Sequence, residues 1–258
     1  MKRRTITRLI KFTHNVLLLT FIYYCVYRPI NARVCASGVR TTHAKGDADC
    51  LIVWEALQAA GLSPTVVVGE DTDLAVLLLY HCKAEHDIYL TSGSQTNPKV
   101  FSIKEGQDKV GKYVCEHILF AHTVSGCDTV PQPFNISKTL PIKRLEKGDR
   151  PFCDAAQVFL DPNSNSQDVV TSGEKAFVRM YGGKAEDSLD LLRLVRYNQK
   201  LMKNKNKAVQ ARDLPLTSAT AGFQSKRVYF QIQEWATLGQ PGLNPEDWGW
   251  EITVFCPS

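Results

Sequence analysis

Residues 47–128 alternate between two hydrophobic periods, one typical of helices and one typical of strands. Residues 49–60 place their apolar positions on one helical face, and a glycine and a proline follow where that helix should end. Residues 65–68 form a short apolar run that predicts a buried strand. Residues 74–81 are apolar nearly throughout and predict a buried helix, whereas residues 86–90 alternate as a second strand does. Alternating helices and strands are typical of an α/β domain built on a mostly parallel sheet.

The pattern becomes more helical toward the C-terminus. Residues 91–98 have the composition of a loop, residues 100–103 predict a short edge strand, and residues 109–124 have the apolar spacing of one continuous helix. Prolines interrupt the segment that begins at residue 129, and residues 162–167 have the composition of a flexible link. The further helices predicted by the pattern are residues 173–181, 185–203 and 224–238.

Acidic residues cluster at three points where the pattern predicts that strands end or helices begin. The five aspartates concerned are Asp47, Asp49, Asp71, Asp73 and Asp128. Because the carboxyl ends of parallel strands meet at one edge of a sheet, we expect these side chains to converge in one pocket there. Carboxylates brought together repel each other, and a bound divalent cation removes that repulsion. Mg²⁺ and Mn²⁺ prefer such oxygen ligands, so the cluster predicts a Mg²⁺ or Mn²⁺ site for phosphodiester hydrolysis, with all five as ligands and catalytic residues.

Each acidic cluster also has a purely structural interpretation. Asp47 and Asp49 fit the N-cap of the helix that follows them, and Asp71 and Asp73 fit an Asx-type cap of the next helix. Asp128 follows Gly-Cys and fits a turn. The sequence is compatible with capping and with metal ligation at each of these positions.

Together these elements resemble the PIN-like, flap-endonuclease-type nuclease superfamily. The acidic motifs that carry the resemblance, in the family's order, are Gly46-Asp47-Ala48-Asp49, Gly69-Glu70-Asp71-Thr72-Asp73-Leu74 and Ser125-Gly126-Cys127-Asp128. Over residues 45–252 the chain is similar, more narrowly, to PIN-like animal proteins associated with mobile elements. The downstream motifs similar to that group are Gly173-Glu174-Lys175, Arg196-Tyr197-Asn198-Gln199-Lys200, Leu214-Pro215-Leu216-Thr217-Ser218-Ala219 and Trp248-Gly249-Trp250.

The resemblance implies a fold, an activity and a partner. The implied fold is a three-layer α/β/α domain with a mostly parallel sheet, followed by a helical C-terminal extension. The implied activity is that of a Mg²⁺- or Mn²⁺-dependent nuclease, and the implied partner is a nucleic acid, either DNA or RNA. On this basis the chain divides into a basic and apolar leader (residues 1–44), an acidic PIN-like core (residues 45–150) and the helical extension (residues 151–258).

The N-terminal segment departs from the PIN-like pattern. The superfamily's first strand should precede residue 45 and supply a further metal-binding aspartate, but residues 1–46 contain nine basic residues and no acidic one. We therefore expect the N-terminal part of the domain to be truncated. An alternative function follows, in which the chain is an inactive PIN-like remnant that serves as a nucleic-acid or protein interaction module. A Rossmann-type nucleotide binder is disfavoured because no G-x-G-x-x-G follows the first strand.

The net charge of +5 is small, but the distribution of charge along the chain suits a polyanionic partner. Residues 47–128 hold twelve acidic residues against five basic ones, a net charge of −7, whereas the segments on both sides are basic. The acidic centre suits a metal ion, and the basic flanks suit a phosphate backbone. None of the eight cysteines forms a C-x-x-C pair, so a zinc knuckle is not expected and the thiols are interpreted as mostly reduced.

An apolar run near the N-terminus has two interpretations. Residues 16–27 follow a basic segment and have about the length of a signal-peptide core, although they are too short for a confident membrane span. Against a secretory leader, Cys50 and Cys115 lie in core-like patterns that offer no obvious disulfide pairing. We predict that residues 16–27 pack as a helix near the domain and that the protein is intracellular, with the nucleus as a candidate compartment and no membrane partner.

Overall fold

The computed structural model of the chain describes residues 46–91, 99–203 and 208–251, together with residues 42 and 44 and the backbone of residues 6–13 and 16–23. The chain forms two compact units, Met1–Glu116 and His117–Ser258. The division between the units therefore lies inside the segment that the sequence assigns to one acidic core. Residues 92–98 of the predicted loop lie outside the described residues.

The first unit is an α/β domain, which confirms the predicted fold class at that level. Its strands are β1 (Ile6–Thr13), β2 (Val16–Tyr23), β3 (Thr65–Val68), β4 (Ile88–Thr91) and β5 (Val100–Ser102). The sheet order is β1-β2-β3-β4-β5, and the pairings β2–β3 and β3–β4 are parallel. The outer pairings, β1–β2 and β4–β5, are antiparallel, so the sheet is mixed and not mostly parallel.

Helices follow or precede the parallel strands as the hydrophobic pattern predicts. The four helices described in the first unit are α1 (Ala48–Ala60), α2 (Thr72–His81), α3 (Ile103–Val110) and α4 (Lys112–Glu116). Val53 and Ala56 of α1 and Leu77 and Leu78 of α2 are fully buried, because each helix places its apolar face in the core. The predicted strand at residues 65–68 and the helices predicted at residues 49–60 and 74–81 are confirmed.

The prediction of a helix near the N-terminus is wrong. Residues Val16–Tyr23 form strand β2, which pairs with β3 in parallel register, Leu17 opposite Thr65. The segment contains valine, isoleucine, threonine, phenylalanine and tyrosine, which are residue types favoured in strands. Residues 24–27 of the predicted helix lie outside the described residues.

The continuous helix predicted over residues 109–124 is also wrong. Helix α3 ends at Val110, and Gly111 adopts a φ of +87°, a positive value that glycine tolerates and that does not continue a helix. The short helix α4 follows, and after His117 the next helix, α5 (Ile118–Val124), begins the second unit. The apolar spacing continues through the break because α3, α4 and α5 each bury apolar side chains in a core.

The second unit is helical throughout its described residues. Besides α5 it contains α6 (Thr139–Glu146), α7 (Arg150–Leu160), α8 (Ser166–Met180), α9 (Leu189–Lys203) and α10 (Ser218–Ala236). Two short 3-10 turns, Ala211–Asp213 and Pro245–Trp248, flank α10 in sequence. Helix α10 packs against α8, α7 and α5, and it buries residues on most of its circumference. It is therefore the central helix of this unit.

Aromatic rings fill the centre of the second unit. The Phe120 ring lies 5.1 Å from Phe152 and 5.0 Å from Phe159, measured between ring centroids. Tyr229 extends the cluster, with its ring 6.4 Å from Phe159 and 4.3 Å from Trp248. Offset and tilted ring pairs at these distances add to the stabilisation from burial. This cluster joins α5, α7, α10 and the second 3-10 turn into one core.

The flexible link predicted at residues 162–167 is instead an ordered turn. Asp161 Oδ1 accepts a hydrogen bond from the backbone N–H of Asn163 at 2.9 Å, and Ser164 Oγ donates to the Val158 carbonyl at 2.7 Å. Asn165 then caps α8 by accepting from the Asp168 N–H at 2.9 Å. The polar composition serves local side chain–backbone bonds, and helix α8 begins earlier than predicted.

Asp149 forms a buried ion network that connects three helices of the second unit. Its side chain is 7% exposed and accepts from Arg179 Nε at 3.0 Å and from Arg179 Nη2 at 3.0 Å. Arg144 Nη1 also donates to Asp149 Oδ2, while Arg179 Nη1 donates to the Gly183 carbonyl at 2.7 Å. Burial by itself raises the pKa of Asp149, but the hydrogen bonds and charges of Arg179 and Arg144 outweigh it and hold the pKa below its ordinary value.

We expect Asp149→Asn to lower the free energy of unfolding by about 2 kcal/mol near neutral pH, because two partly buried guanidinium groups lose their counter-charge. The lowered pKa means that wild-type stabilisation is complete above the ordinary aspartate pKa of about 3.9 and decreases as the pH falls through the lower pKa of the folded state. Urea unfolding of both proteins from neutral pH to acid measures this. A stability difference that stays constant into strong acid would contradict the ion-network account.

Candidate metal centre

The first acidic motif forms the start of helix α1. Asp47 is the N-cap residue, and its Oδ1 accepts a hydrogen bond from the Asp49 N–H at 2.9 Å. Asp49 lies one residue inside the helix and is half-buried. The carboxylate of Asp47 thus satisfies one of the N–H groups that the first helical turn leaves without an intrahelical acceptor.

The second acidic motif repeats this geometry at the start of helix α2. Asp71 is the N-cap residue, and its Oδ1 accepts from the Asp73 N–H at 3.0 Å. The motif follows β3 after a short connection, and the Gly69 N–H donates to the Thr91 carbonyl at 2.9 Å. This bond holds the connection beside the end of β4. The second motif therefore lies at the carboxyl ends of two neighbouring parallel strands.

Three carboxylates from these two motifs come together. One carboxylate oxygen from each of Asp49, Asp71 and Asp73 lies within 4.8 Å of the other two. Asp71 is exposed, Asp49 is half-buried, and Asp73 is 6% exposed. The cluster is therefore fixed in the domain on one side and reachable from solvent on the other.

The spacing of the three oxygens is compatible with a divalent cation. With metal–oxygen distances of about 2.1 Å, neighbouring ligands of an octahedral Mg²⁺ lie about 3.0 Å apart and opposite ligands about 4.2 Å apart. A maximum separation of 4.8 Å is close to this range and needs only a small rotation of one carboxylate. Capping occupies Oδ1 of Asp71, and a carboxylate has a second oxygen for a further interaction.

Two helix N-termini contribute to the electrostatics of the cluster. Asp49 and Asp73 lie in the first turns of α1 and α2, where the helix dipole and the N–H groups favour negative charge. Each helix end offsets part of the repulsion between the carboxylates by about 0.3–1 kcal/mol. A cation among the three oxygens would offset more of it, because its charge is larger and closer.

The structure brings three of the five predicted aspartates together. Asp49, Asp71 and Asp73 form the cluster, whereas Asp47 caps α1 and is not among the three. Asp128 belongs to the second unit, where it is exposed within a turn. In that turn the Cys127 N–H donates to the Val130 carbonyl at 2.9 Å, and the reverse bond measures 3.2 Å. The turn interpretation therefore describes the local structure of Asp128, and its role as a metal ligand stays a prediction.

Basic residues that follow the third acidic motif could contact phosphates, but their environments differ. Lys138 Nζ donates to the Gly126 carbonyl, and Arg144 belongs to the Asp149 network. Lys143 and Lys147 are both exposed, on the last turn of α6 and just beyond it. The first two cations therefore serve the structure of the second unit.

His122 precedes the third acidic motif and is a further polar side chain near it in sequence. It is 9% exposed and lies against Trp235, with ring centroids 6.0 Å apart. This environment is that of a packing residue.

Cys82 and Cys115, two of the cysteines that the structure describes in the first unit, are poor candidates for thiol chemistry. Cys50, Cys82 and Cys115 are buried thiols that form no disulfide. Burial raises the pKa of Cys82 to about 12, and burial followed by the charge of Glu116 raises the pKa of Cys115. Because the thiolate is the nucleophile and the metal ligand, thiols with raised pKa values are poor candidates for either role. The carboxylate cluster is the stronger candidate for chemistry in this unit.

The second unit contains a cavity that the sequence pattern does not predict. The cavity has a volume of about 170 Å³. Its lining includes Phe134, Asn135, Tyr181, Arg196, Lys200 and Asp213. Arg196 donates to the Tyr181 carbonyl at 3.3 Å, and Lys200 lies 3.9 Å from the Asp213 carboxylate. The spacing of Arg196 and Lys200, four residues apart on one helix, was the available signal that both cations share one face.

No protein-family model, no curated protein and no solved structure matches this chain. The resemblance to PIN-like nucleases therefore rests on the sequence motifs, and the candidate metal centre rests on the geometry of the aspartates. Among the residues described, no helix combines the length and the apolar character needed to cross a membrane.

Proposed function

We propose that this chain is a metal-dependent phosphodiesterase of the PIN-like class that acts on a nucleic acid, either DNA or RNA. The observation that carries the proposal is the convergence of Asp49, Asp71 and Asp73 within 4.8 Å at the end of a parallel strand. Carboxylates at the carboxyl ends of parallel strands occupy the position where open α/β folds build their sites. Oxygen ligands of this kind suit Mg²⁺ or Mn²⁺.

The three aspartates have distinct tasks in the proposed site. Asp73, which is the most buried, anchors the site in the domain, and Asp71 presents its carboxylate at the solvent side where a substrate arrives. Asp49 comes from the other helix and closes the cluster. Asp49, Asp71 and Asp73 would hold a Mg²⁺ or Mn²⁺ ion, which would supply the Lewis-acid chemistry that phosphodiester hydrolysis needs.

The order of elements in the first unit supports the PIN-like part of the proposal. The three central strands β2, β3 and β4 are parallel neighbours, and α1 and α2 lie on either side of β3 in sequence. A strand–helix–strand connection between parallel neighbours is the unit from which three-layer α/β/α domains are built. The antiparallel strands β1 and β5 add edges to this parallel centre.

A metal-dependent cleavage assay tests the proposal. The purified chain is incubated with single-stranded, flap and duplex substrates made of DNA or RNA, in Mg²⁺, in Mn²⁺ or in a chelator. We expect cleavage of at least one substrate in Mn²⁺ or Mg²⁺, its loss in the chelator, and its return when metal is added back. Tight metal binding without cleavage of any substrate would contradict an enzymatic role.

The alternative function is an inactive PIN-like remnant that acts as an interaction module. The observation that favours it is the lack of any acidic residue in residues 1–46, where the superfamily supplies a further ligand. The cationic cavity at Arg196 and Lys200 offers a place for an anionic group without any need for catalysis. Binding of nucleic acid with equal affinity in metal and in chelator, without cleavage, is the expected result for this alternative.

A further inference from the structure

Two cations from one side of helix α9 line the cavity of the second unit. Arg196 and Lys200 lie four residues apart on this helix, so both side chains reach the same cavity. The remaining lining comes from the segment before α6, from Tyr181 after α8, and from residues 213–215.

The guanidinium group of Arg196 is held in place by neutral groups. Among the residues that the structure describes, it donates to the Tyr181 carbonyl at 3.3 Å and to Gln199 Oε1 at 3.2 Å. Neither acceptor is an anion, so these hydrogen bonds do not neutralise the charge of Arg196. A guanidinium group has five N–H donors, and those that remain can form the paired hydrogen bonds by which arginine binds phosphate.

The ammonium group of Lys200 has a loose ionic partner. Its Nζ atom lies 3.9 Å from Asp213 Oδ2, which is beyond hydrogen-bond distance. The other oxygen of Asp213 lies 4.0 Å from Arg212 Nε, so the carboxylate keeps a cationic neighbour when Lys200 contacts another anion. The lining of the cavity thus holds two cations and one carboxylate, which leaves an excess of positive charge for a ligand.

The volume of the cavity limits the ligand to a small group. At about 170 Å³ the cavity is smaller than the ~300–1,000 Å³ pockets that enclose whole small molecules. It is close to the ~150 Å³ of an apolar cavity that holds one benzene molecule. A phosphate group fits this space, whereas a complete nucleotide does not. The ligand is therefore a compact anion or the anionic end of a larger molecule.

A phosphomonoester matches both the charge and the size of this cavity. Near neutral pH its charge is about −1.5 to −2, which suits a pair of cations. An internal phosphodiester has one negative charge and a sugar on each side, and a cavity of this volume has no room for two sugars. Leu214 is 8% exposed and Pro215 is buried, so part of the wall is apolar and charges there interact more strongly than in open water.

An aromatic side chain in the same lining indicates what the phosphate is attached to. Phe134 lines the cavity and is 41% exposed, so it is accessible from solvent beside the two cations. Single-stranded nucleic acids are bound by this combination, with a base stacked on the ring and the phosphate on the cations. The terminal nucleotide of a strand presents both groups together.

We propose that the cavity at Arg196 and Lys200 binds a phosphomonoester and that the phosphorylated end of a nucleic-acid strand supplies it, with the terminal base against Phe134. The phosphomonoester follows from the cavity itself, whereas the choice of a nucleic acid as its source also rests on the proposed function. Inorganic phosphate and small phosphate esters share this chemistry, so the test has to compare them with a strand.

Fluorescence anisotropy of the full chain in a chelator tests the site. The probe is a short single-stranded oligonucleotide, labelled at one end and carrying either a phosphate or a hydroxyl at the other, in both polarities. We expect the phosphorylated probe of one polarity to bind at least about tenfold more tightly than its hydroxyl counterpart. Lys200→Gln should remove most of this difference, because it removes an ammonium group that contacts the phosphate.

Lys203→Gln is the matched control for this measurement. It makes the same change of charge on the same helix, but Lys203 is exposed and is not part of the cavity lining. We expect Lys203→Gln to retain the preference for the phosphorylated probe. The Lys200–Asp213 pair is loose and partly exposed, so Lys200→Gln should keep the wild-type melting temperature. A preference that survives in Lys200→Gln, or an equal loss in both variants, would overturn the assignment to this cavity.

Calorimetry with inorganic phosphate and the variant Phe134→Ala identify the source of the phosphate group. For a strand end, Phe134→Ala should weaken binding of the phosphorylated probe by about fivefold or more and leave the affinity for inorganic phosphate unchanged. Binding of inorganic phosphate without a preference between the probes would identify a small phosphate ester as the source. Equal affinity for both probes, together with no binding of inorganic phosphate, would overturn the proposal. Because binding is measured in chelator, a preference for phosphate without metal-dependent cleavage supports the cavity and contradicts only the phosphodiesterase activity.

Discussion

Asp71→Asn should weaken Mn²⁺ binding by at least about tenfold and reduce metal-dependent cleavage by about 100-fold or more, without lowering the melting temperature. Asp71 has two tasks, as the N-cap of α2 and as one of the three clustered carboxylates. Asparagine caps helices as well as aspartate does, so the first task survives the substitution. The substitution removes the negative charge, so we expect the contribution of residue 71 to metal binding to be lost. Isothermal titration with Mn²⁺, cleavage rates and thermal melts measure the three quantities.

Asp47→Asn is the matched control for this experiment. Asp47 caps α1 with the same geometry as Asp71 caps α2, with cap distances of 2.9 and 3.0 Å, but it is not among the three clustered aspartates. We expect Asp47→Asn to retain the affinity for Mn²⁺. Equal losses in Asp47→Asn and Asp71→Asn would show that the cluster of three does not define the site. A clear drop in melting temperature in Asp71→Asn would show that its role is structural.

A second pair of variants separates capping from charge. Asp71→Ala removes both, so it should also lower the free energy of unfolding by about 1 kcal/mol, the usual value of an N-cap. Asp73→Asn removes charge at the most buried position of the cluster, and we expect metal affinity to fall without loss of fold. The contrast between Asn and Ala at residue 71 therefore assigns the two tasks independently.

The D-x-D motifs are visible in the sequence, but their different roles are not. Asp47-Ala48-Asp49 and Asp71-Thr72-Asp73 have the same spacing and form the same local cap. Of the two capping residues, only Asp71 belongs to the cluster, because its oxygens approach those of Asp49 from a different helix. Local pattern predicts the cap, whereas the approach of two helix ends is a tertiary feature that no local pattern contains.

The elements around the candidate site are predictable because local signals agree there. Strand β3 and helices α1 and α2 combine a clear hydrophobic period with caps or breakers at both ends. The pattern does not predict helices α6 and α7, because Pro141 and Pro151 have the character of helix breakers. Both prolines lie in the first turn of their helix, where the missing N–H has no intrahelical partner to lose.

The sequence predicts the existence of helix α9 correctly, but it does not predict which of its apolar residues are buried. Its apolar positions predict one stripe that includes Leu189, Leu192, Val195 and Leu201. In the structure Leu189 and Leu192 are buried, whereas Val195 and Leu201 are exposed on the other side of the helix. The predicted stripe combines residues from a buried face and an exposed face. Helical periodicity does not show which apolar positions pack against the same chain and which stay exposed.

Gly126→Ala should lower the free energy of unfolding by about 3 kcal/mol or more, a larger loss than we expect from Asp149→Asn or Asp71→Ala. Gly126 has a φ of +103°, and a Cβ atom there would lie 2.6 Å from Gln132 Cα and 2.8 Å from the Gln132 backbone nitrogen. The clash involves backbone, so no side-chain rotation relieves it. The Gly126 carbonyl also accepts from Lys138, which ties the turn to the segment before α6. Thermal and urea unfolding measure the loss.

Gly148→Ala provides the control that separates backbone conformation from steric contact. Gly148 has a φ of +62°, but a Cβ atom there would meet nothing within 4 Å, so we expect a loss of only about 1 kcal/mol. Similar losses in the two variants would mean that the close approach to Gln132 is not what fixes Gly126.

If Gly126→Ala is strongly destabilised while Asp128→Asn has wild-type stability and wild-type Mn²⁺ affinity, then the Gly-Cys-Asp motif is explained by its turn. A loss of Mn²⁺ affinity in Asp128→Asn at unchanged stability would instead support Asp128 as a ligand, as the resemblance to PIN-like nucleases implies.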